Sequence, residues 1–91
     1  MEQLESVIRE IIEKEIPQRA IFDAHAVIDF LIQNQSDVYL NSHSQGWSTQ
    51  VYHSRISKII ASCTDLVEQI GDGWSRNIHQ NFFNNKVYRK K

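Results

Sequence analysis

The chain has 91 residues, which suits one domain and leaves no room for two cores, so we expect residues 1–91 to form a single domain. A hydrophobic fraction of 41% and a charged fraction of 23% are ordinary for a globular protein and argue against extended disorder. The net charge of −1 is divided unevenly: residues 1–38 contain eight acids and three bases, whereas residues 39–91 contain three acids and seven bases.

The sequence predicts neither a membrane anchor nor a disulfide. No segment approaches the roughly 20 continuous apolar residues that cross a bilayer, and the acidic N-terminus is unlike a signal or transit peptide. We therefore expect a cytoplasmic protein without a membrane partner. Cys63 is the only cysteine, and its place in an apolar helical pattern favours a buried structural thiol over a reactive one.

The first third of the chain predicts two helices. Before Pro17, which ends the first helix, apolar residues recur at intervals of three and four, as on one face of a helix: Leu4, Val7, Ile8, Ile11 and Ile12. Asp23 is a favourable N-cap for the second helix, in which Val27, Phe30 and Leu31 are expected to face the core. The polar run at 33–35 closes this helix.

The next segment is less regular. Ser36 is a candidate cap for a further short helical turn that would extend through Leu40. Residues 41–48, with the sequence NSHSQGWS, predict a loop, in which Trp47 is either tucked against the domain or exposed. Thr49 or Ser48 is expected to cap a third long helix, which carries an apolar stripe at helical spacing: Tyr52, Ile56, Ile59, Ile60 and Cys63.

The last third of the chain changes character towards β-structure. Residues 66–70 are β-compatible, Gly71-Asp72-Gly73 is a strong turn signal, and Val87-Tyr88 is typical of a returning strand. The segment 74–85 is compatible with a helical turn or a loop. Together the elements predict an α+β domain with three main helices followed by a C-terminal two-stranded β-hairpin.

The sequence contains no pattern typical of catalysis or cofactor binding. The four histidines lack the short spacings of metal ligands, and no pair of cysteines is present. No nucleophile elbow is found, and the three glycines do not form a phosphate-binding loop beside a lysine. We therefore expect a protein that is not an enzyme and that has no catalytic residues, no metal and no cofactor.

From Phe22 to Ile70, the order of a capped helix (FDAHAVIDFLI), a connection, a helix (HSRISKIIASC) and a strand (LVEQIG) resembles a winged helix-turn-helix domain. FDAHAVIDFLI also resembles small bacterial proteins of unassigned function. The winged-helix resemblance implies that the third helix enters the major groove of duplex DNA while the hairpin contacts phosphates. The residues it implies at the DNA are Gln50, Ser54, Arg55, Ser57, Lys58, Arg76, Lys86, Arg89, Lys90 and Lys91.

Two features leave an alternative open. The connection from Gln33 to Ser48 is longer than the tight turn of a helix-turn-helix, so either a short extra helix fills it or the fold is another helical one that ends in a hairpin. The basic residues after Asp72 are also compatible with a solvated tail. The alternative function is a protein–protein interaction or homodimerisation module, which would use the amphipathic first helix or a set of exposed aromatic residues: Tyr39, Trp47, Trp74, Phe82 and Phe83.

Overall fold

The computed structural model describes residues 2–76 and 82–91, including the side chains of all of these except residues 2, 75, 76 and 83. Within this part, helices come first and the two long strands last. In chain order the elements are α1 (Glu2–Glu15), β1 (Ile21–Asp23), α2 (Ala24–Asn34), α3 (Ser36–Asn41), α4 (Thr49–Ser62), β2 (Val67–Arg76) and β3 (Phe82–Lys90). The α+β class is confirmed, although the described residues form four helices and three strands rather than three main helices and two strands.

The starts of α2 and α4 follow the capping residues that the sequence offers. The Oδ1 of Asp23 accepts a hydrogen bond from the backbone N–H of Ala26 at 3.3 Å. The Oγ of Ser48 accepts one from the backbone N–H of Val51 at 3.1 Å. Each cap supplies an acceptor for an N–H that the helix itself leaves unpaired. The short α3 occupies the position where the sequence predicts a further helical turn.

The apolar faces of the helices meet the sheet in one core. Helix α1 contributes Leu4, Ile8, Ile11 and Ile12, helix α2 contributes Val27, Ile28 and Leu31, and helix α4 contributes Tyr52, Ile56, Ile59 and Ile60. From the sheet, Phe22 and Tyr88 pack with their ring centroids 5.8 Å apart. Cys63 is buried at the end of α4, where its thiol donates to the carbonyl of Ile59 at 3.3 Å. The thiol therefore lies in the core, as the apolar pattern predicts.

Strand β1 was not predicted from the sequence. It pairs antiparallel with β3, from Ile21 opposite Arg89 to Asp23 opposite Val87, so the order across the sheet is β1-β3-β2. The predicted two-stranded hairpin is thus part of a three-stranded antiparallel sheet. A strand of three residues is too short to show an alternating pattern, and Asp23 carries the stronger signal of a helix cap.

The predicted turn at Gly71-Asp72-Gly73 is wrong, because these residues lie inside β2. The pairing with β3 shifts register between Gln69 and Gly71, which is a β-bulge, and Gly71 has a φ of 152°. Glycine adopts such a φ without the steric penalty of a Cβ atom. At Gly73 an added Cβ atom would lie 2.9 Å from Cγ2 of Val87, which is too close. The two glycines therefore serve a bulge and a close contact between strands.

The hairpin consequently extends further than the sequence predicts. Pairing between β2 and β3 continues to Arg76 opposite Phe82. Of the segment 74–85, for which helix and loop were both open, residues 74–76 and 82–85 are strand. The remainder of that segment, residues 77–81, lies outside the described residues.

Lys90, at the end of β3, binds the C-terminal end of α1. Its side chain is only 8% exposed. Its Nζ donates hydrogen bonds to the backbone carbonyls of Ile12 at 2.8 Å, Glu13 at 3.1 Å and Ile16 at 3.0 Å. The last carbonyls of a helix have no partner inside the helix and carry the negative end of its dipole, so an ammonium group stabilises them in two ways.

We predict that Lys90→Met lowers the free energy of unfolding by about 2–3 kcal/mol, since methionine keeps an apolar stem but leaves the three carbonyls without their charged donor. Urea denaturation measures the change. Lys86→Met is the matched control, because Lys86 is exposed on the same strand, and its effect is expected to stay within about 0.5 kcal/mol. Equal stability of the two variants would contradict the structural role of Lys90.

Candidate nucleic-acid interface

One side of α4 is exposed and contains no acidic residue. The buried stripe of Tyr52, Ile56, Ile59 and Ile60 takes the other side of the helix. Four of the residues predicted to contact DNA are exposed on the free side: Gln50, Ser54, Arg55 and Lys58. Ser57, the fifth predicted residue on this helix, is half-buried at the edge of that side. The structure thus brings four predicted side chains together on one helical surface.

Arg55 is held in position by Trp47. Its Cζ lies 4.4 Å from the centroid of the Trp47 ring, so the guanidinium covers the ring in a cation–π contact. Trp47 itself is half-buried, which places it between the two alternatives that the sequence left open. The contact restricts the conformations of the Arg55 side chain while leaving it exposed to a ligand.

An aromatic cluster orders the long connection before α4. We use this name for Tyr39, His43, Trp47, Tyr52 and His53. The His43 ring stacks on Tyr52 with centroids 4.6 Å apart and an interplanar angle of 14°, and its Nε2 is hydrogen-bonded to the carbonyl of Trp47 at 2.9 Å. The predicted loop is therefore packed against the first turns of α4.

Two tyrosine hydroxyls complete the aromatic cluster. The Tyr52 hydroxyl donates to the carbonyl of Tyr39 at 2.5 Å. The Tyr39 hydroxyl and Nε2 of His53 are hydrogen-bonded at 2.6 Å. Burial raises the pKa of Tyr39, and burial together with the neighbouring Tyr39 raises the pKa of Tyr52 to about 12. These contacts tie α3 to α4. Sequence reasoning missed them because the five residues belong to three different segments.

The basic residues predicted on the hairpin do not form one surface. Lys86 is exposed on β3, whereas Lys90 is buried against α1 and is not available to a phosphate. Nε of Arg89 donates to Oε1 of Glu68 at 2.8 Å. Nζ of Lys91 donates to the carbonyl of Thr64 at 2.7 Å. Among the described side chains of this set, Lys86 is exposed opposite Asp72 in the strand register, Arg89 and Lys91 are engaged at the surface, and Lys90 is buried.

The remaining predicted side chains are distributed differently. Arg76 ends β2, and its side chain lies outside the described part, as does that of Phe83. Among the aromatic residues considered for an interaction surface, Tyr39 and Trp47 are half-buried in the aromatic cluster. Trp74 and Phe82 are 70% and 64% exposed on the hairpin.

No family model, curated protein or solved structure matches the chain. Among the described residues, no three His, Cys, Asp or Glu side chains are grouped so that they would hold a metal ion. In the same part of the chain, no helix has the length and apolar character needed to cross a membrane.

We predict that Tyr52→Phe lowers the free energy of unfolding by about 1 kcal/mol at neutral pH, because it removes the hydrogen bond to the Tyr39 carbonyl. Tyr88→Phe is the matched control. The buried Tyr88 hydroxyl has no hydrogen-bond partner among the described residues, so its removal is expected to be neutral or stabilising. A loss in both variants of the same size would show that the hydrogen bond contributes nothing specific.

The raised pKa of Tyr52 also predicts that the free energy of unfolding depends on pH in the alkaline range. The folded pKa of Tyr52, about 12, lies above its usual value of about 10, so the neutral hydroxyl stabilises the fold below pH 10. That contribution is lost as the pH rises from about 10 to about 12. Denaturation at several pH values is expected to show a steeper loss for the wild type than for Tyr52→Phe.

Proposed function

We propose that the chain is a winged helix-turn-helix domain that binds duplex DNA without catalysis, with α4 in the major groove and the β2–β3 hairpin as the wing. The element order supports this proposal. A helix, a short strand, further helices and a hairpin follow one another, and the short strand pairs with the last strand. Helix α3 is then an addition within the connection that precedes the recognition helix.

The observation that carries the proposal is the exposed, acid-free side of α4. A helix of ordinary diameter fits the major groove of B-DNA, which is about 12 Å wide. Gln50 and Arg55 have the side-chain types that recognise adenine and guanine edges, and Ser54 is able to bond to either. Lys58 provides a cation for phosphate. The absence of a carboxylate from this side avoids repulsion from the DNA backbone.

The wing is assigned fewer phosphate contacts than the sequence predicts. Lys86 and Arg76 are proposed to contact the backbone, and Arg89 and Lys91 to do so only by exchanging their present partners. Lys90 is left out of the interface because its ammonium group is buried against α1. We therefore expect a smaller salt dependence than a count of the basic residues would give.

A shallow groove between α1 and α2 favours a second candidate function. It has a volume of about 130 Å³, and its apolar lining consists of Val7, Ile11 and Phe30. Val7 and Phe30 are only partly buried, so they offer apolar surface to a second protein within a polar rim: Glu10, Lys14, Glu15, Asn34 and Gln35. In this alternative the domain dimerises or binds a protein partner and has no nucleic-acid role.

We predict that Lys58→Ala weakens binding to duplex DNA and lowers the slope of log affinity against log salt by about one, the value for one phosphate contact. Fluorescence anisotropy with a labelled random duplex at several salt concentrations measures both. Lys14→Ala is the matched control, since Lys14 is exposed on α1 and paired with Glu10. An identical salt slope for the two variants would remove Lys58 from the interface.

An amide NMR titration with the same duplex separates the two candidate functions. DNA binding predicts shifts that cluster in residues 50–61 and on the hairpin and that fade as salt rises. Protein interaction through the groove predicts no response to DNA at low salt, together with concentration-dependent shifts in α1 and α2. The second pattern would replace the DNA-binding proposal.

A further inference from the structure

The outer half of the hairpin carries two exposed aromatic side chains that the core does not use. Among the side chains of the two strands that the structure describes, the buried ones are Val67, Tyr88 and Lys90, all at the base of the hairpin. Beyond the bulge, Trp74 is 70% exposed and Phe82 is 64% exposed. The helices therefore cover only the base, and the outer half presents large apolar rings to solvent.

The strand register places these two rings on one face. Trp74 is opposite Asn84, and Phe82 is opposite Arg76. Residues opposite each other share a face of the sheet, so Trp74 and Phe82 are diagonal neighbours, at a separation that aromatic side chains bridge. Lys86 follows two residues after Asn84, so it lies on the same face and supplies a cation beside the rings.

We propose that Trp74 and Phe82 form a stacking platform for unpaired bases, so that the preferred ligand is duplex DNA with a single-stranded extension. This inference rests on the proposed binding of DNA by α4. Aromatic rings stack on any base through its π-face, and such contacts act together with cations that follow the phosphates. In the strand register, two bases and one acid share the face of the rings: Arg76, Lys86 and Asp72.

The charge of the surface favours a nucleic acid over a protein as the occupant. Arg55, Lys58 and Lys86 are exposed on α4 and the hairpin. Asp72, opposite Lys86, is the carboxylate nearest to the rings in the strand register. A polyanion that extends from the rings to α4 pairs with all three cations while its bases cover the rings, whereas a protein that covers only the rings leaves Arg55 and Lys58 without a partner in the complex.

Because the hairpin is long, the platform lies at a distance from the part of the DNA major groove that α4 would occupy. Trp74 is seven positions after Val67, the first residue of β2. At about 3.3 Å per residue the distance is roughly 20 Å, which equals about six base pairs of duplex DNA. The platform is thus long enough to reach bases beyond the duplex segment that α4 contacts.

Anisotropy measurements with three ligands test the inference: a blunt duplex, the same duplex with a short thymidine tail, and the same duplex with a tail of abasic units. The abasic tail has the charge of the thymidine tail and no bases. We expect the wild type to bind the thymidine-tailed duplex at least about fivefold more tightly than the abasic-tailed one. Quenching of tryptophan emission on the thymidine tail is expected to be lost in Trp74→Phe.

The double variant Trp74→Leu/Phe82→Leu is expected to lose the preference for the thymidine tail and to keep its affinity for the blunt duplex. Ile21→Ala is the matched control, because Ile21 is 63% exposed on β1, opposite Arg89 at the base of the hairpin and far from the two rings in the strand register, and it is expected to keep the preference. Equal binding of the two tailed duplexes by the wild type, with blunt-duplex binding intact, would overturn the platform alone. No binding of the blunt duplex at low salt would contradict the proposed function itself.

Sedimentation provides the remaining outcome. If the wild type forms dimers that the double variant does not form, the two rings are a contact between copies of the chain and the stacking platform is overturned. A monomeric wild type at the concentrations of the anisotropy experiment supports it.

Discussion

The ammonium group of Lys90 determines how the two halves of the domain meet. It binds three carbonyls at the end of α1, while the backbone of the same residue donates to Ala20 and accepts from Arg19 in the segment before β1. One residue thus joins the end of the first helix, the segment that leads into the first strand, and the last strand. Because the hairpin base is fixed to α1, the helices between them are confined to a defined place over the sheet.

A second link leads from the same helix to the turn after α4. Arg9 donates two hydrogen bonds to the Asp65 carboxylate, at 3.1 and 2.7 Å, and they hold the pKa of Asp65 below its usual value. The pair is exposed, so its contribution to stability is small. Its geometry nevertheless places the end of α4 and the start of β2 beside α1. Several charges that look available for a ligand in the sequence are therefore used inside the fold, so a count of basic residues overstates the proposed interface.

The parts of the fold that the sequence predicts are those set by local signals. The periodicity of Leu4 to Ile12 and the caps Asp23 and Ser48 define three helices, because each helix satisfies its own backbone. Strand β1 depends on its pairing with β3, which lies more than 60 residues later in the chain. The path of β2 through Gly71 and Gly73 likewise depends on its pairing with β3. Gly71 and Gly73 have the composition of a turn, and only the pairing with Val87 shows that they serve a bulge and a close contact. No sequence pattern indicates the burial of Lys90 either, because its hydrogen-bond acceptors are backbone carbonyls.

The long connection between α2 and α4 is the main departure from a helix-turn-helix pattern. The aromatic cluster takes the place of the tight turn, because it restrains this connection against α4. A tight turn fixes the angle between two helices by restricting the backbone. Here side chains restrict the position of α4 instead. Tyr52 donates a hydrogen bond to the Tyr39 carbonyl, and His43 stacks on Tyr52. His43 is also hydrogen-bonded to the carbonyl of Trp47. Because Trp47 also contacts Arg55, the cluster that positions the helix positions one of its proposed base-contacting residues. If α4 binds DNA as proposed, a change in the cluster is expected to alter the affinity through Arg55 even though the exposed side of α4 is unchanged.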